Sequence, residues 1–81
     1  MRARVFVTLK TGVLDPQGKA ILGGLRSLGY GGVVDVRTGK FFDLELTGDD
    51  PAAVERSLNA MSEQLLANTV IEDYRIELVN P

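Results

Sequence analysis

The chain contains no cysteine and no histidine. Without cysteine there is no disulfide to staple a small fold, and without either residue the ordinary zinc sites are excluded. The same two absences remove Ser-His and Cys-His nucleophile systems and any imidazole acid–base group. Positive charge is also short: nine Lys and Arg stand against eleven Asp and Glu, a net charge of −2. That balance argues against a nucleic-acid binder, which usually carries a basic face. No apolar run approaches the length of a membrane span, and no signal peptide precedes the first apolar segment. The chain therefore reads as soluble and cytoplasmic.

What remains is one small domain, 1–81. A chain of this size buries only about 60–65% of its unfolded surface, so its own core leaves it marginally stable. With ordinary zinc sites and disulfides excluded, the common remedy is to bury surface against another chain. A hydrophobic fraction of 44% allows that.

Ala3 to Lys10 alternates. Ala3, Val5, Val7 and Leu9 share one face; Arg4, Phe6, Thr8 and Lys10 share the other. This is a half-buried strand. Phe6 on the wetter side is either a lone exposed aromatic or a partner contact. Lys10 to Lys19 then leads into a helix: Asp15 is the N-cap and Pro16 the first helical residue. Pro16 to Leu28 repeats Ile21, Leu25 and Leu28 at helical spacing, widened by Leu22, and Gly29 is placed to end it. Gly18, Gly23 and Gly24 inside this helix suggest close packing against another backbone.

Val33 to Leu46 is extended, with Val34, Val36, Phe42, Leu44 and Leu46 on one parity. A three-residue turn at Thr38-Gly39-Lys40 or one long strand bent at Gly39 fits that parity equally well. Asp49-Asp50-Pro51 repeats the Asp-Pro helix start. The second helix carries a stripe of Val54, Leu58, Met61 and Leu65 and ends near Asn68 in a left-handed turn. Val70 to Val79 alternates Tyr74, Ile76 and Leu78 against Asp73, Arg75 and Glu77, as a strand with one buried face does.

The expected fold is α+β: a two-layer sandwich with an antiparallel sheet of three to four strands and two helices on one face. Its plan is ferredoxin-like βαββαβ, or βαβαβ with one long bent middle strand. Catalytic constellations are missing. The GxGxxG and Walker spacings are absent from Gly12–Gly18. The paired carboxylates Asp49-Asp50 and Glu72-Asp73 read as a helix cap and a solvated strand start. Arg37 and Lys40 flank the bend at Gly39 and read equally as plain surface charge or as a contact with a partner's acidic groups or a phosphate.

Four stretches together resemble the PurS family: Gly12-Val13-Leu14-Asp15-Pro16-Gln17-Gly18, Ser27-Leu28-Gly29-Tyr30, Val36-Arg37-Thr38-Gly39-Lys40, and Leu65 to Tyr74. Thr69 departs from the pattern, because many members carry Pro there, and a rigid lead into the last strand is lost with it. The resemblance implies the small, non-catalytic subunit of phosphoribosylformylglycinamidine synthase in purine biosynthesis. In that assembly a glutaminase subunit releases ammonia, and a synthetase subunit uses ATP and Mg to turn formylglycinamide ribonucleotide into the amidine. The small subunit binds no cofactor, associates with itself as a dimer or tetramer, bridges the other two and supports ammonia transfer. Lys10, Asp15 and Gln17, Arg37 and Lys40 at the bend, and Phe6 are then the expected partner-docking residues. A small-molecule regulatory dimer of ferredoxin-like fold is the alternative from a different class.

Overall fold

In the computed structural model, which describes residues 1–79, the order is β1 (Arg2–Leu9), α1 (Pro16–Ser27), β2 (Gly39–Glu45), α2 (Pro51–Met61) and β3 (Glu72–Val79). The three strands form one antiparallel sheet with β1 in the centre, in the order β2-β1-β3. Of the two plans, βαβαβ is the one found. Phe42 lies opposite Val5 and Leu44 opposite Ala3 on one side of β1, while Ile76 and Leu78 flank the same residues on the other. Both registers keep one parity on one face, as a half-buried sheet requires.

That face receives α2. Ala3, Val5 and Val7 of β1 are buried with Val54 and Leu58 of α2 and with Ala67 beyond it. Phe42, Leu44, Tyr74 and Ile76 complete the cluster from the outer strands. The fold is therefore an α+β sandwich with its core between β1 and α2.

The α2 stripe turns at its end. A π-helical turn, Ser62–Leu66, follows Met61. Its wider winding moves the buried positions on by one residue, so Ser62 is buried and Leu65, expected in the stripe, is 83% exposed. Ser62 satisfies its hydroxyl by donating to the Leu58 carbonyl at 2.8 Å. Asn68 does not adopt the expected left-handed conformation, since no described residue other than glycine has positive φ. Instead its carbonyl accepts from the Ile71 and Glu72 amides, its side chain accepts from Val70 N–H, and its own N–H donates to Glu72. These bonds hold the lead into β3 without a proline.

Helix α1 differs from the expectation. It begins and ends as read, with Asp15 as N-cap, Pro16 in the first turn and Gly29 at φ +98° just past its end. Yet none of its apolar side chains is buried, and it packs extensively on neither the sheet nor α2. The segment after it folds back beside it: the Tyr30 amide donates to the Leu25 carbonyl and Arg26 reaches the Val33 carbonyl. Residues 30–38 lie outside the sheet, so Val33 to Leu46 is neither a hairpin nor one continuous strand. Val34, which shares the core parity, is 84% exposed. Helix and return segment form an arm, and the molecule measures 48 × 29 × 14 Å.

Candidate interaction surfaces

The base of the arm is where the sequence signals converge. Asp15 is 3% exposed. One carboxylate oxygen accepts from Gly18 N–H at 2.9 Å, which caps α1. The other accepts from Thr38 N–H at 2.6 Å, and the Thr38 hydroxyl donates to the same carboxylate at 2.9 Å. These donors, the two backbone amides foremost, hold the Asp15 carboxyl below the usual carboxylate range, and the Arg37 charge adds to them. Gly18 is needed here for space: a Cβ would strike the Val36 carbonyl oxygen and the Asp15 carboxylate.

Arg37 closes the same corner. Its guanidinium donates to the carbonyls of Val13 at 3.1 Å and Lys10 at 3.1 Å, and more loosely to Leu9 at 3.5 Å. The segment that links β1 to α1 is thus tied to the segment that links α1 to β2. Asp15 is turned inward, and Arg37, although exposed, is engaged with backbone carbonyls of its own chain, so both of these expected docking residues have an internal role.

The other expected docking residues are spread over the surface. Gln17 is exposed in the first turn of α1. Lys10 makes an ion pair with Asp73 at 3.4 Å. Lys40 is exposed, with its ammonium 5.7 Å from the Phe42 ring centre. Phe6 lies at the middle of the open sheet face, half-buried between the Phe41 ring at 5.9 Å and the Arg75 guanidinium at 4.4 Å. Arg4–Asp43 and Arg2–Glu45 pairs line that face. Phe6 is therefore part of a cross-strand ladder rather than a lone aromatic.

Sequence reasoning missed where the uncovered apolar surface would be. Ile21, Leu28, Leu14, Tyr30 and Val34 are all exposed on or beside the arm. Leu65, Val70 and Ile71 make a second exposed group at the α2–β3 connection. The alternation and helical spacing that marked Ile21, Leu28 and Leu65 as buried were sound as pattern; what they lacked was the second surface to bury them.

Among the described residues there is no group of three or more carboxylates set to hold a metal ion, and no buried side-chain nitrogen or oxygen lacks a hydrogen-bond partner. The exposed apolar groups on the arm and at the α2–β3 connection are the surfaces left uncovered.

Comparison with known proteins gives the family. The family model described as PurS, phosphoribosylformylglycinamidine (FGAM) synthase, matches residues 2–80. The phosphoribosylformylglycinamidine synthase subunit PurS of Synechocystis sp. is 51% identical over 75 residues, covering 93% of this chain and 75% of that protein. The crystal structure of Bacillus subtilis PurS superposes with a TM-score of 0.84 at 46% identity, covering 98% of both chains. A chain of the PurLQS structure from Thermotoga maritima superposes with a TM-score of 0.88 at 27% identity, covering 96% of this chain and 95% of that one. With the family model matched over residues 2–80, a relative 51% identical and the same fold in solved members, the chain belongs to the PurS family, the small subunit of phosphoribosylformylglycinamidine synthase in purine biosynthesis.

Proposed function

We propose that this chain acts as a cytoplasmic, non-catalytic connector: it pairs with a second copy through the arm and joins the glutaminase subunit to the synthetase subunit. The observation that carries the proposal is the uncovered apolar stripe of α1. Ile21 and Leu28 recur at helical spacing, as buried residues do, yet stand 41% and 75% exposed. A helix with one apolar side requires a surface to cover it. The core of this chain, six buried apolar residues among those described, lies between β1 and α2 and leaves that stripe uncovered.

The chemistry of the complex is divided accordingly. ATP and Mg belong to the synthetase subunit, and glutamine hydrolysis to the glutaminase. Ammonia passing between them must be kept from water, where it is protonated or lost. A rigid connector closes the seam between two larger proteins. Gln17 and Lys40, exposed on either side of the arm's base, are the residues assigned to that contact.

Reconstitution tests this. Glutaminase and synthetase subunits are assayed with and without this chain, using either glutamine or ammonium as the nitrogen source. Omitting the chain is expected to abolish glutamine-dependent turnover and leave ammonium-dependent turnover intact. Equal glutamine-dependent rates in its presence and absence would refute the connector role.

A further inference from the structure

Two lengths of chain connect the arm to the sheet: the loop after β1 and the segment before β2. Helix α1 has no fully buried apolar side chain, Leu22 and Leu25 being half-buried, so packing fixes the angle at which the arm leaves only weakly. Among the described residues, the polar groups that tie the two connections together are those at its base. The Asp15 carboxylate holds Thr38 by backbone and hydroxyl while capping α1. Arg37 holds the carbonyls of Lys10 and Val13. Gly18 lets the helix start approach the Val36 carbonyl, which brings the two connections into contact.

We infer that Asp15, Thr38 and Arg37 form a latch that sets the angle of the α1 arm against the sheet, and so are positioning residues for the docking face that α1 carries. Fixing the arm in advance lowers the ordering cost of association, because fewer orientations are lost when a partner binds. A released arm swings about the two connections as a hinge does, with a few backbone dihedrals absorbing the change. The latch rests on the connector reading for its purpose but not for its existence, since arm angle and association are separate measurements.

The absence of cysteine makes the test direct. Cysteines placed at Ser27 on α1 and Arg56 on α2, both exposed, take spin labels at unique positions. The labelled full-length chain is diluted into excess unlabelled chain, so that only distances within one chain are read by pulsed electron spin resonance. One narrow distance is expected with the latch intact. Asp15→Ala, Thr38→Val and Arg37→Ala are each expected to broaden or split it, while amide-exchange protection of β1 and β3 is retained. A single narrow distance persisting in all three variants would overturn the latch. If Asp15→Ala loses the sheet's protection altogether, Thr38→Val and Arg37→Ala decide the matter by the same criterion. Sedimentation of the same variants separates the two claims: a broadened distance with unchanged self-association upholds the latch and refutes α1 as the docking face.

Discussion

Asp15 serves two elements with one carboxylate, and its titration follows from that. Its carboxyl is held below the usual range because the Thr38 and Gly18 amides donate to the charged form and the Arg37 guanidinium lies close by. A depressed pKa means that the folded state binds the proton less readily than the unfolded chain. The contribution is therefore present above the unfolded value, about 4, and is lost as pH falls through the lower folded value. Thermal unfolding followed across acid pH should show the native protein losing stability in that range. Thr38→Val, which removes one donor, should shallow that loss, and Asp15→Asn should remove this residue's share of it. An acid profile identical in all three proteins would show that the carboxylate does not contribute. Gly18→Ala is expected to lower the melting temperature as well, since its new methyl meets the Val36 carbonyl and the Asp15 carboxylate.

At the scale of elements, α2 and the π turn after it decide which apolar side chains matter. Leu58 is fully buried against β1, while Leu65 points to solvent. Leu58→Ala should destabilise by about 2–5 kcal/mol, the usual result of truncating a core leucine. Leu65→Ser should change chain stability by no more than about 0.5 kcal/mol, as surface substitutions do. Denaturant unfolding of both variants checks the pair, and equal losses would mean that the helix keeps a regular winding to its end. The sequence marked β1 and β3 well, because strict alternation has one meaning on a half-buried sheet. It also marked both helix starts, because Asp-Pro is a local signal. The shift from Met61 and Leu65 to Ser62 and Leu66 was not legible: a serine in the core is justified only by the Leu58 carbonyl it reaches. Nor could parity show that Val34 leaves the sheet. Its neighbour Thr38 is drawn away by Asp15, a contact across 23 residues, and no pattern within a strand encodes that.

The whole molecule is longer than its length in residues requires. Its radius of gyration is 16.0 Å, against about 12 Å for a compact domain of this size. The excess is the arm, and an arm with an exposed apolar face is costly in water unless it is covered. Covering it by a second copy links stability to concentration, because whatever binds only the folded chain stabilises it by mass action. The melting temperature of the isolated protein should therefore rise as protein concentration rises. The double variant Ile21→Glu, Leu28→Glu places charge on the stripe while touching nothing in the β1–α2 core. It should sediment as a monomer, keep its circular dichroism, and melt at a temperature independent of concentration. Scattering from that monomer should give a radius near that of the single chain rather than of a pair. A double variant that still sediments as the native protein does would place the contact between copies elsewhere, with the open sheet face around Phe6 and Phe41 as the surface left to test.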